Sequence, residues 1–327
     1  MKHLAYATGV FATLAGASFA ETPELTVYTY DSFVSEWGPG PKVEAAFEAQ
    51  CGCDLKFVSA GDGAALLSRI RLEGARSEAD VVLGLDTNLT AAAAESGLFA
   101  PHGVTAEFDL PVAWDDDVFL PYDWGYFAFV HNKSFDAPSS FMALAESDVK
   151  ILIQDPRSST PGLGLLMWVK AAYGDKSAAV WEGLADNIVT VSKGWSEAYG
   201  LFLEGEADMV LSYTTSPAYH LIAEDDASKT TAKFEEGHYL QVEVAGKLAS
   251  SDQPELADAF LKFMLSDGFQ EVIPTTNWMY PAVTPDAGLA EGFAGMMKPE
   301  RTLLLSAKEA ADVRAGALEE WRAALSQ

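Results

Sequence analysis

Aromatic rings and hydroxyls crowd into Lys193–Tyr219 (KGWSEAYGLFLEGEADMVLSYTTSPAY), which carries Trp195, Tyr199, Tyr213 and Tyr219, with Ser212, Thr214, Thr215 and Ser216 close to the last two. Leu201, Phe202, Met209, Val210 and Leu211 have the spacing to bury one helix face and one strand, which leaves the four rings at the edges of those elements. A Trp or Tyr face is flat and polarisable with a single polar handle, so such a set suits a planar heterocycle, and a cationic one better still. The competing reading is that each ring packs in the core or its rim.

Other residues join this set. Ser158–Gly162 (SSTPG) precedes a helix expected from Leu163, with Pro161 suited to its first turn. Its hydroxyls, free N–H groups and the positive end of the helix dipole make either an anion site, with phosphate as the commonest guest, or a helix cap with nothing bound. Asp62 in AGDG either caps the helix that follows or accepts a hydrogen bond from a ligand amino group. Trp278 and Tyr280 lie between prolines in PTTNWMYP, a loop too polar for core; Trp278, like Trp37 in SEWGPG, reads as a stacking wall.

Catalytic and metal chemistry find no comparable pattern. His3, His102, His131, His220 and His238 show no metal spacing and read as surface or crossover residues. There is no Ser-His-Asp or GxSxG arrangement, no Walker-type Gly-Lys-Ser/Thr and no GxGxxG. Cys51 and Cys53 (CGC) are too few for a structural zinc site and read as a turn-associated disulfide or two free thiols. Rings, carboxylates and hydroxyls without a nucleophile–base pair describe a binder.

The elements that position these residues alternate. Leu25–Tyr30, Leu55–Val58 and Ala79–Leu83 read as strands, with helices over Lys42–Gln50 and Ala64–Glu73 between them. That order implies a largely parallel sheet covered on both faces, with ligands met at the carboxyl ends of its strands. The loops Asp31–Gly40, Ala60–Gly63 and Gly84–Asn88 then qualify. Phe119–His131 (FLPYDWGYFAFVH) is too long for one buried strand and reads as a crossing to a second lobe, where the alternation resumes: strands Ile151–Ile153, Ile188–Val191 and Met209–Leu211, helices Leu163–Tyr173, Ala178–Leu184, Trp195–Leu203 and Pro217–Ala223. His238–Val244 returns the chain. Helices over Gln253–Met264, Asp267–Val272 and Glu309–Leu325 close it. The resulting division is residues 21–124 with 244–283 in lobe 1, and 125–243 with 284–327 in lobe 2, around a cleft able to close by hinge motion.

Composition bounds the function. Met1–Ala20 has a short basic start, an apolar run and small residues before a cut after Ala20, the form of a secretory signal peptide. The chain has 327 residues with 21 Lys+Arg against 48 Asp+Glu, a net charge of −27, which disfavours nucleic acid and anionic membrane as partners. Much of that charge serves solubility, although over long range it favours a cationic ligand.

The stretches LTVYTYDSF, EWGPGP, ADVVLGLD, QDPRSSTPGLGLL, KGWSEAYGLFL, LSYTTSPAYH, EGHYLQVEVA and IPTTNWMYP, in this order and spacing, closely resemble the thiamine-binding proteins of bacterial ABC transporters across nearly the whole mature chain. The resemblance implies an α/β, two-lobed type II periplasmic binding fold with mixed, mostly parallel sheets. It also implies a monomer in the periplasm with no cofactor, whose ligand is thiamine or its mono- or diphosphate and whose partner is an inner-membrane permease with a cytoplasmic ATPase. Residue by residue, the implied pocket is Tyr30, Trp37, Asp62, Gly63, Ser159, Trp195, Tyr213, Tyr219 and Trp278. Tyr219 and Trp278 would clasp the pyrimidine, Asp62 and Gly63 its polar edge, and Trp195 with Tyr30 the thiazolium. Ser159, Tyr213 and Trp37 would meet the hydroxyethyl or phosphate end. Thr284–Glu300 matches poorly. The rivals are a ferric-ion binder on the same fold, which Tyr, His and carboxylate could serve, and a thiamine-degrading enzyme, which would need a thiolate in the cleft.

Overall fold

The computed structural model describes residues 22–326. The expected signal peptide and His3 therefore lie outside the described residues. The chain begins β1 (Glu24–Thr29), α1 (Gly40–Cys51), β2 (Asp54–Ser59), α2 (Gly63–Glu73), β3 (Val81–Asp86), α3 (Thr90–Glu95) and the short β4 (Phe99–Ala100). Pro41 in the first turn starts α1, and Gly52 in the left-handed region ends it. Every residue of β3 is buried, as a strand with both faces covered requires. β3 begins two residues later than expected and runs on through Asp86, so most of the expected Gly84–Asn88 loop is strand.

β5 (Phe119–Asn132) is a continuous crossing strand, and α4 (Phe141–Ala145), β6 (Ile151–Gln154), α5 (Thr160–Tyr173), α6 (Ser177–Leu184), β7 (Ile188–Ser192), α7 (Trp195–Leu203), β8 (Met209–Tyr213), α8 (Pro217–Ala223) and β9 (Lys229–Thr231) follow. The second crossing strand, β10 (His238–Leu248), leads to α9 (Pro254–Phe263), α10 (Asp267–Gln270), α11 (Ile273–Thr276), β11 (Tyr280–Pro281), β12 (Thr302–Leu303) and α12 (Ala307–Ala324). A capping box between Ser306 and Glu309 opens α12.

The strands order as β2-β1-β3-β10-β5-β8-β6-β7. Along this order pairing is parallel among β2, β1 and β3 and among β8, β6 and β7, but antiparallel where the crossing strands β5 and β10 enter; off it, β12 joins β10 in parallel. The first half of β5 pairs with β10 and the second half with β8, so one strand belongs to both halves of the sheet. Opposite directions are what two connections running between the same halves, one out and one back, must have.

Two local expectations change and one open alternative is decided. His102 and His220 are buried outside the crossing strands: His102 accepts from the Val104 amide, and His220 sits between Tyr199 and Glu224. Tyr280 is core, stacked on Trp124 at 4.6 Å and packed edge-on against Phe293. Of the two states open to Cys51 and Cys53, the structure has the disulfide, at the end of α1 and just ahead of β2.

Candidate functional site

A cleft of about 610 Å³ opens between the halves of the sheet. Its walls are rings. Trp37, 53% exposed, faces Trp195 at 6.3 Å between ring centroids, and Trp195 stacks on Tyr199 at 5.0 Å. Opposite them Tyr219 meets Trp278 edge-on at 5.4 Å. The polar handle of Trp195 is satisfied inside the wall, Nε1 donating to Ser212 Oγ at 2.8 Å, which fixes the indole with its face to the cleft. Trp278 has φ 58°, a left-handed conformation that a bulky residue adopts only where its surroundings impose it.

Asp62 joins the two sides. It stands at the start of α2 but makes no side-chain cap there. Instead its Oδ2 accepts from Ser159 Oγ at 2.8 Å and from the Trp195 amide at 3.2 Å, at the N-terminal ends of α5 and α7. The chain's own carboxylate therefore occupies the terminus that SSTPG offers to an anion. Neighbouring bonds cross the same gap: the Ala65 amide donates to Ser158 O at 3.1 Å and the Gly63 amide to Thr160 Oγ1 at 3.1 Å. A Cβ on Gly63 would stand 2.6 Å from Thr160 Oγ1 and 2.8 Å from Gly84 O, so only glycine admits this approach.

The floor is acidic. Glu243, 6% exposed, lines the cleft and accepts on Oε2 from Tyr122 at 2.6 Å and from Tyr30 at 3.1 Å, and on Oε1 from Gln241 at 2.8 Å. Beneath it Asp123, fully buried, accepts from Asn277 Nδ2 at 2.6 Å. Desolvation raises both carboxyls, Glu243 to about 7 and Asp123 well above the ordinary range; the charge of Glu243 adds to the rise of Asp123, and that of Asp62 to the rise of Glu243. Burial likewise lifts Asp86 to about 7 and Asp62 to about 6. Among the described residues none of these four carboxylates has a Lys or Arg ion-pair partner. Lys42, exposed on the first turn of α1, is the one lysine or arginine among the described residues lining the cleft.

Seven of the nine sequence-derived site residues line the cleft: Tyr30, Trp37, Asp62, Trp195, Tyr213, Tyr219 and Trp278. Gly63 and Ser159 stand behind it, Ser159 buried and donating to Asp62 and Gly63 bridging to Thr160. Two of the three expected loops, Asp31–Gly40 and Ala60–Gly63, supply lining residues, whereas the Gly84–Asn88 segment supplies none.

Residues 39–271 match the bacterial extracellular solute-binding protein family. The chain belongs to that family. This solute-binding protein is 54% identical over 318 residues to the thiamine-binding periplasmic protein of Salmonella typhimurium, covering 96% of each chain. It superimposes on the solved structure of a periplasmic thiamin-binding protein with a TM-score of 0.91 at 53% identity, over 94% of this chain and 97% of that one. A ferric-binding protein from Campylobacter jejuni aligns at a TM-score of 0.75 but 18% identity, over 92% and 99% of the two chains, and shares the fold alone. The architecture is the two-lobed type II periplasmic binding fold.

Sequence reasoning about this solute-binding protein missed Glu243, Asn277, Asp123 and Lys42. A signal was present for two of them: Asp123 in FLPYDWGYFAFV and Glu243 in HYLQVEV each interrupt an apolar crossing strand with a carboxylate. A charge in such a run is costly to bury unless it is paired, hydrogen-bonded or neutralised.

Proposed function

We propose that this periplasmic protein captures thiamine, free or phosphorylated, in the cleft and delivers it to an inner-membrane ABC permease powered by a cytoplasmic ATPase, acting as a monomer, without a cofactor and without turning the ligand over. The observation that carries the reading is a cleft with aromatic walls over a carboxylate floor that has no cation of its own. A thiazolium supplies the missing charge, and its ring and the pyrimidine supply faces for the walls. Cation–π contacts contribute about 0.5 to 2 kcal/mol each, more as water is excluded.

Tyr219 and Trp278 clasp the pyrimidine, and Asp62, whose Oδ1 is not engaged by Ser159 or the Trp195 amide, takes its amino group. Trp195 borders the thiazolium, with Tyr30 and Glu243 below it. The hydroxyethyl or phosphate end points to the mouth, where Trp37 and Lys42 stand; the buried Ser159 hydroxyl, bonded to Asp62, supports the pyrimidine end instead. The sulfur nucleophile of a thiamine-cleaving enzyme has no candidate in the lining, since Cys51 and Cys53 bond to each other at the end of α1. The names and close similarity of the relatives support the same ligand class.

Native mass spectrometry of protein purified from a thiamine-containing medium, followed by calorimetry of the stripped protein with thiamine and its two phosphates, tests this. A bound vitamer and sub-micromolar affinity are expected. No heat at millimolar ligand would overturn it.

A further inference from the structure

Asp123 and Glu243 are partners across the antiparallel pair β5 and β10, the two strands that carry the chain between the lobes. Being opposed on one face, the two carboxyls come within hydrogen-bond reach. Asp123 Oδ2 accepts from Asn277, but its Oδ1 has no other partner among the described residues. Both Glu243 oxygens accept from Tyr122, Tyr30 and Gln241 and are thus set up for the ionised form. One proton on Asp123 Oδ1, shared toward Glu243, satisfies the pair.

The groups facing it offer no alternative counter-charge. They are Tyr30 beyond β1, Tyr122 beside Asp123 on β5, Gln241 on β10, Asn277 after α11, Asp62 at the start of α2, Asp86 at the end of β3 and Tyr213 on β8. All are neutral hydrogen-bonding groups or further carboxylates. The cations acting on this region bear on its outer carboxylates, Arg314 on Asp86 and Lys193 on Asp62, and Lys42 stands at the mouth. Glu243 alone of the pair lines the cleft, so it is the route by which a ligand's charge reaches the pair.

We propose that Asp123 and Glu243 hold one proton between them in the empty protein and release it when a cationic ligand enters, so that capture is an exchange of a cation for a proton. The inference rests on the cationic ligand proposed above. The proton leaves the pair for solvent, and the ligand's fixed positive charge over Glu243 takes its place; no covalent bond forms or breaks in the ligand. Asp123 is a positioning residue acting through Glu243, and the device makes the protein prefer a permanent cation to a neutral ring of the same shape.

Calorimetry with thiamine in two buffers of unequal ionisation enthalpy, between pH 6 and pH 8, reads the exchange directly. The wild type is expected to release close to one proton per ligand at pH 6 and few at pH 8, with affinity about tenfold tighter at pH 8 than at pH 6. Glu243→Gln and Asp123→Asn keep the shape while removing the shared titration. At least one of them should bind with weaker affinity that is flat across the range, and without proton release. Buffer-independent heats and a flat affinity in the wild type, or proton release persisting in both variants, would overturn the exchange while leaving the ligand assignment standing. Absence of thiamine binding at pH 8 would overturn the ligand assignment, and the exchange with it.

Discussion

Two clusters of rings serve opposite ends, one packed in the core and one lining the cleft between the halves of the sheet. In the core, Trp168 packs against Phe141 at 4.8 Å, Phe234 at 5.4 Å and Phe129 at 6.4 Å, donates Nε1 to Gly237 O at 2.9 Å and is fully buried. In the cleft, Trp37, Trp195, Tyr219 and Trp278 are equally close to other rings yet keep faces open to solvent. The core rings have used their surface on each other. Of the cleft rings, Trp195 is held from behind by Ser212 and Tyr219 by Glu224, and the set stands over carboxylates that lack an ion-pair partner. Ring content is therefore neutral about function; exposed faces and uncompensated charge decide it.

The largest effect that would sharpen this contrast is Trp168→Ala, expected to destabilise the fold by about 3 to 5 kcal/mol through the cavity it leaves. Chemical denaturation measures it, and a loss under about 1 kcal/mol would break the distinction. Trp278→Ala is its counterpart: ligand affinity should fall at least tenfold, about 1.4 kcal/mol, with little change in the unfolding midpoint. Unchanged affinity would remove Trp278 from the site. Asp62→Asn, which keeps the shape but not the charge that accepts from Ser159 and the Trp195 amide, is expected to weaken binding by roughly 1 kcal/mol, the scale of one lost hydrogen bond; titration of the variant reads it.

The acidic floor predicts a pH dependence of the empty protein. Glu243 and Asp86 titrate near 7 and Asp62 near 6 in the fold, against about 4 in an unfolded chain. The native state binds more protons in that window, so the stabilisation is full below the unfolded value and lost as pH rises through the folded ones. Buried His238, held down to about 4, works in the opposite sense below about pH 6.5, where stability is lost as pH falls. From pH 6.5 to 8 the melting temperature of the empty protein should therefore fall by a few degrees, and Glu243→Gln should flatten the slope. The smallest expected effect is Lys42→Ala at the mouth, leaving thiamine affinity unchanged and weakening its phosphates about threefold, as a solvent-screened charge pair allows. Equal loss for all three ligands would move the phosphate end elsewhere.

Much of the cleft was legible because it is written locally. Trp195, Tyr213 and Tyr219 fall at the ends of short periodic segments, and a ring at the end of a buried element reaches a loop surface whatever the rest of the chain does. Trp37 and Trp278 were found the same way, from turns between prolines and glycines. Ser159 and Gly63 show the limit. Their neighbourhood was right, but their side of the wall depends on how closely α2 approaches α5, and Asp62 turned from an expected helix cap into a bridge between lobes for the same reason.

The alternation of strand and helix, the two long crossing segments, the exported character and the family were determined by the sequence alone, since periodicity and turn chemistry act over a few residues. Only the tertiary structure decided which charges lost their water. Asp123 meets Glu243, and Asp62 meets Ser159, across separations of the order of a hundred residues. A carboxylate's ionisation is set by whatever folding brings within a few ångströms of it, which local sequence does not encode.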